Sequence, residues 1–172
     1  MSTQTLLINR DDIMALTPLN GNIDEDKILP HVNTAQEIHL QPVVGTKLLD
    51  KCKSLIEAGT LNDAGNEVYA TLVNIYITPY LVFLTMWDAM PFIQYSIANG
   101  GVYQHQSVNS ATPTDANVGT LTARFKNKAE FYGDKLSSYL CDNTSLYPEL
   151  TESIDGGEFN SGPQQSLTNW NL

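Results

Sequence analysis

Residues 23–56 read IDEDKILPHVNTAQEIHLQPVVGTKLLDKCKSLI, and residues 139–150 read YLCDNTSLYPEL. The first stretch places apolar residues at helical spacing on both sides of Gln41-Pro42, which predicts a helical hairpin. Ile28, Val32, Ala35 and His39 recur at steps of four, three and four. The first helix is expected from Asp24 or Glu25 to about Leu40. Asp24, Glu25 and Asp26 then serve as cap and first-turn charge, not as a calcium loop. Pro30 is tolerable only if the helix starts late enough to place it in the first turn. Gln41 precedes a proline and is pushed away from α, so the helix is expected to stop there. The second helix is expected over Gly45–Ala58, with Leu48, Leu49, Cys52, Leu55 and Ile56 as its apolar stripe and Gly59 closing it.

Ahead of the hairpin, Thr5–Asn9 reads as an extended entry segment. Asn9 is a candidate cap for a short helix over Arg10–Leu16, with Asp11 and Asp12 in its first turn. A turn region follows it. Behind the hairpin, Asn62 or Asn66 is expected to cap a long apolar helix that runs to Ile97 and ends at Asn99-Gly-Gly. Pro79 and Pro91 should kink or split it. Its most apolar tract, Tyr76–Trp87, is shorter than the about 20 residues of a bilayer span and reads as a buried helix. Residues 99–119 are polar and form a protruding loop, or hold a β-hairpin with Val102–His105 as one strand. A last helix is expected over Leu121–Leu140, with Phe125, Ala129, Tyr132 and Leu136 facing inward. After Pro148 the pattern dissolves. The expected fold is all-α: a small bundle of about four main helices spanning 1–150, with the insertion at 99–119 and an extended C-terminal tail at 151–172.

Composition narrows the function. A chain of 172 residues with 42% hydrophobic content suits one globular domain, which buries roughly 70% of its unfolded surface. The net charge is −10, which argues against gripping nucleic acid, because that needs a basic face. The charge is uneven: all nine basic residues lie at or before Lys135. No basic n-region precedes Leu6–Ile8, so no secretory signal is expected. Cys52 and Cys141 are expected to be small buried thiols, with no spacing that supports a disulfide or a metal.

The search for chemistry is short. No nucleophile elbow, Walker loop, H-E-x-x-H or C-x-x-C is present. His31 and His39 stand about 12 Å apart along a helix, with no acid in the sequence placed to orient them, and His105 falls in the loop. Asp88 lies in the most apolar helix. It is expected to face the surface or to pair with Arg124 or a lysine; the functional reading is a catalytic acid with a raised pKa. No catalytic residue, metal site or cofactor is expected.

Several phrases point to a family. An extended start leads to Ile8-Asn-Arg-Asp-Asp-Ile, then to Ile23-Asp-Glu-Asp-Lys-Ile-Leu-Pro, Ala35-Gln and Val44-Gly before Lys47-Leu-Leu. A long apolar helix, a variable loop and a final helix ending in Tyr139-Leu-Cys-Asp-Asn and Leu146-Tyr-Pro-Glu follow. Over roughly residues 5–150 the chain resembles the head–tail connector (adaptor) proteins of tailed bacteriophages, particularly phages of Bacteroidetes-type hosts. The resemblance implies a helical bundle assembled into a ring, commonly twelve-fold, beneath the portal protein. It implies a virion protein of the head–tail interface, assembled in the host cytoplasm, and no reaction. Genomic DNA would pass through the ring without sequence-specific binding. The next neck or tail protein would dock on it, and no membrane is involved.

On that reading Lys47, Lys51, Lys53, Arg124, Lys126 and Lys128 face acidic surface on a neighbouring subunit. The loop and tail, with Tyr103, His105, Phe159 and Trp170, reach the portal or neck. Two other classes stay open: a soluble regulatory bundle that binds a protein partner, and a small enzyme built on Asp88.

Overall fold

The computed structural model describes residues 5–18, 25–93, 95–98, 101–104 and 115–150. The fold is all-α, as expected. Its helices are α1 (Arg10–Leu16), α2 (Glu25–Ala35), α3 (Gln41–Val44), α4 (Thr46–Glu57), α5 (Glu67–Thr71), α6 (Thr78–Ile93) and α7 (Asp115–Asp142). A π-helical turn, Gln36–Leu40, joins α2 to α3, and a second, Leu72–Ile77, joins α5 to α6. Two short strands, β1 (Tyr95–Ala98) and β2 (Gly101–Gln104), stand between α6 and α7.

Local chemistry explains α1. Asn9 accepts the Asp12 N–H at 3.1 Å, and the Asp12 carboxylate accepts the Asn9 N–H at 2.9 Å. Each side chain satisfies a backbone donor that the first turn leaves open. The end of α4 is equally local. Gly59 has φ 69, and the Thr60 and Gly59 N–H groups return to the Leu55 and Ile56 carbonyls. Only a left-handed residue closes that pair of bonds.

The prolines behave differently from expectation. The first helix does not stop at Gln41-Pro42; it continues through α3 and turns sharply at Gly45, whose φ is 77. The Gln41 N–H reaches back five residues to the Gln36 carbonyl. The long helix does the same before Pro79, where the Thr78 N–H bonds the Val73 carbonyl. A proline ring in an α-helix strikes the carbonyl four residues earlier. An i→i+5 turn immediately ahead of each proline widens the backbone there and relieves that clash. The 67–93 run is therefore one continuous helix, not two pieces. Pro30 sits in the second turn of α2, not the first. It is exposed, as is Asp26, the residue whose carbonyl a helical N–H at position 30 would bond.

By length and composition the 67–93 helix is apolar enough to cross a membrane. Here it is the core of the bundle, because Pro79–Met86 are all buried. Its main packing partners are α7 and α2, with α1 at a third side. Phe83 stacks on Tyr132 at 5.3 Å, and Phe125 lies 6.4 Å from it.

The long helix ends at Ile93, earlier than expected. Residues from Tyr95 enter an antiparallel hairpin in which Tyr95 pairs with Gln104 and Ala98 with Gly101. Two residues, Asn-Gly, separate the paired ends, a sequence suited to a two-residue hairpin loop. The 99–119 segment is thus not a plain loop: its front belongs to β2, and α7 begins at Asp115, six residues earlier than expected. Residues 105–114 lie outside the described residues, as do 151–172, expected as a tail, and 19–24, which hold most of the expected turn region.

Gln36 closes the front of the fold. It is fully buried. Its Oε1 accepts the Leu7 N–H at 2.6 Å, and its Nε2 donates to the Thr5 carbonyl at 3.3 Å. One amide side chain thereby serves the entry segment as a neighbouring strand would. Replacing it by leucine leaves a buried N–H without a partner, which costs about 1–3 kcal/mol. Gln36→Leu is expected to lower the urea midpoint accordingly and to speed exchange of the Leu7 amide. Unchanged exchange at Leu7 would contradict that role.

Candidate functional site

Polar and aromatic side chains gather at two places where α2 and α7 meet the central helix. At the first, His31 of α2 faces Asp88 of α6, with Nδ1 and Oδ2 2.7 Å apart. The carboxylate fixes the imidazole and ties two helices together across 57 residues of sequence. This corrects the partner expected for Asp88, though not its expected place at the surface. Its partner is a histidine, not Arg124 or a lysine, and its side chain is 37% exposed. It also corrects the expectation that no acid orients a histidine.

Phe92 lies 5.3 Å from the His31 ring. About two turns further along, His39 packs on Trp87 at 5.6 Å. Burial holds His39 below the ordinary histidine range, while the charge of Asp88 pulls the other way. The Lys126 Nζ sits 5.8 Å from the Trp87 ring centre, so the indole links the π-turn after α2 to α7. Among the described residues no group of three His, Cys, Asp or Glu side chains is placed to hold a metal.

The second place is the seam between α7, the second π-turn and the closing phrase. Tyr76 stacks on Tyr139 at 3.9 Å. The Tyr147 hydroxyl meets the Tyr139 hydroxyl at 3.0 Å and donates to the Val68 carbonyl at 3.2 Å. Tyr147 is completely buried, and burial first, then the Tyr139 hydroxyl, pushes its pKa upward. Tyr69 donates to both Glu149 carboxylate oxygens, at 2.9 and 3.1 Å. Burial and that carboxylate raise Tyr69 to about 12. The Tyr139–Leu150 phrase thus works as a lock that pins the chain against the start of the central helix.

Cations decorate the same surface. Lys51 lies over Tyr69 at 5.6 Å, Lys128 over Phe83 at 5.0 Å and Lys135 over Tyr76 at 5.2 Å. Arg124 and Lys47 are exposed, and Lys53 is partly so. The basic residues singled out from sequence therefore fall on α4 and α7, three of them seated on aromatic rings of their own chain. Tyr103 lies in β2 opposite Ser96; His105, Phe159 and Trp170 lie outside the described residues. Sequence reading missed Gln36, the His31–Asp88 pair and the tyrosine lock.

Residues 40–160 match the model of a family of unknown function, DUF6712. This protein belongs to that DUF6712 family. No curated protein and no solved structure matches the chain. The matched DUF6712 span takes in α4 to α7, the hairpin and the tyrosine lock. His31, Gln36 and His39 precede it, while Asp88 lies inside.

Two outcomes test the site. The two cysteines are free. Cys52 is buried, not paired, and its pKa is raised to about 12, mainly by burial. Cys141 is exposed, against the expectation of two buried thiols. Native protein is expected to react with one equivalent of a thiol reagent, at Cys141, and with a second only after unfolding. Two fast equivalents in the native state would contradict this.

His39 gives the second. Its folded pKa lies below the ordinary histidine value of 6.5, so below about pH 6.5 the unfolded chain binds the extra proton more readily. Its contribution is complete above that pH and is lost as pH falls towards the folded pKa. His39→Gln is expected to flatten the fall in melting temperature between about pH 7 and pH 5. A slope identical to the parent's would show that other groups carry it.

Proposed function

We propose that this DUF6712 protein is a structural assembly protein: the head–tail connector of a tailed bacteriophage. In this role it forms a ring beneath the portal, extends the DNA channel and receives the next neck or tail protein. The observation that carries the proposal is the uneven placement of the basic residues on the bundle. Seven of the nine basic residues lie on α4 and α7, while the chain as a whole carries −10. Cations gathered on two helices of an otherwise acidic chain favour head-to-tail contacts between copies, and such contacts close into rings when the rotation permits.

The two-stranded hairpin adds support. Its principal contact outside itself is the end of α6 from which it grows. An isolated pair of strands is marginal in water, and its open edges suit addition of a partner's strand. An acidic protein also suits a channel, since a basic lumen would hold phosphates.

Sedimentation of the purified chain, with imaging of the assembled particle, tests the proposal. The expected result is a closed oligomer and density for this chain between portal and tail. A chain that stays monomeric and never accompanies particles would instead be a soluble interaction protein. Within the ring reading, Arg124→Glu with Lys126→Glu and Lys128→Glu is expected to weaken assembly about 10- to 100-fold, from roughly 1 kcal/mol per exposed pair. Because Lys126 and Lys128 rest on Trp87 and Phe83, unchanged helicity is the control. Unaltered assembly by a folded triple variant would remove charge pairing from the interface.

A further inference from the structure

The outward face of α7 carries a stripe of apolar and basic residues: Leu121, Arg124, Lys128, Phe131 and Lys135, spaced by three and four. All five are exposed. Phe131 is 64% exposed, a large aromatic left on the solvent side of a charged helix. Its ring meets Tyr132 edge-on at 5.3 Å. Lys128 and Lys135 are held in place over Phe83 and Tyr76. Among the described residues none of the three cations is paired with a carboxylate. The two acids of this stretch, Glu130 and Asp134, fall elsewhere on the helix circumference.

We infer that this stripe is the docking site of the chain's own C-terminal segment, residues 151–172. That segment has the complementary composition. It carries Glu152, Asp155 and Glu158, no lysine or arginine, and the aromatic residues Phe159 and Trp170. Its point of departure is fixed near the C-terminal end of α7. Leu150 is buried, Tyr147 bonds Tyr139 in the last turns of α7, and Glu149 holds Tyr69.

The reach is sufficient. From Asp142 back to Arg124 the helix axis runs about 27 Å, and the eight residues from Leu150 to Glu158 span up to about 27 Å when extended. The acids at 152, 155 and 158 thus come within range of Lys135, Lys128 and Arg124, with Phe159 available to Phe131. Tethering makes the encounter intramolecular, so weak surface pairs act at a high effective concentration. In a ring, if the connector reading holds, a neighbour's acidic surface takes the tail's place on the same face. Docking in the isolated chain does not depend on that reading.

The test is a photo-crosslink from position 131 in the full chain, with Phe131 replaced by p-benzoylphenylalanine and the protein kept dilute. The expected product is a monomer-sized band whose peptide map joins position 131 to residues 151–172. Its yield should fall about tenfold in Glu152→Gln/Asp155→Asn/Glu158→Gln, a change confined to the tail, and in high salt. A product that maps to no tail residue would overturn the inference. So would a product found only in a dimer-sized band, which would place the tail on a second copy. An unchanged yield in the neutralised tail would overturn the charge complementarity on which the inference stands.

Discussion

An eight-residue stretch, Pro79–Met86, is buried on every side, and the rest of the molecule is arranged around that constraint. A helix without a polar face has no stable position at a surface, so it needs neighbours all round. α2, α7 and α1 supply them. The burial requires an unbroken backbone through Pro79, because a break there would leave buried carbonyls without donors. The π-turn over Leu72–Ile77 meets that need. The same device carries the front helix past Pro42, and there it does a second job. It brings Gln36 inward, where its amide holds the Thr5–Leu7 segment against the bundle.

The remaining ties are few and specific. His31 and Asp88 join the front helix to the core on one side. On the other, Tyr69, Tyr76, Tyr139 and Tyr147 join the closing phrase to the root of the central helix. Lysines over aromatic rings line the outside of the α6–α7 seam. The outcome is a body with a well-packed interior and an uneven exterior: most cations on α4 and α7, Phe131 standing out from α7, and a short hairpin issuing from one end. These features suit a protein that works by contact.

Legibility follows the range of the interactions. α1 was readable to the residue, because Asn9 and Asp12 cap it within one turn. The second helix of the hairpin was readable because Leu48, Leu49, Cys52 and Leu55 face one way and Gly59 closes it. The β-hairpin was half readable. Asn99-Gly100 carries the signal, but Ile93 and Ile97 continue the helical spacing and hide the start of β1. Cys141 shows the opposite failure: it lies on a periodic helix, yet one step outside the buried stripe of Leu136 and Leu140.

The sequence by itself determined the helical class, the buried identity of the Tyr76–Trp87 tract, the caps, and the uneven charge. Each depends on neighbours within one or two turns, or on composition alone. Only the tertiary structure decided how prolines 42 and 79 are passed, which acid holds His31, and what Gln36 and Tyr147 are for. The π-turns at the prolines answer to the burial around them, and the ties of His31, Gln36 and Tyr147 join groups about 30 to 80 residues apart in sequence. Their partners become neighbours only once the central helix is enclosed.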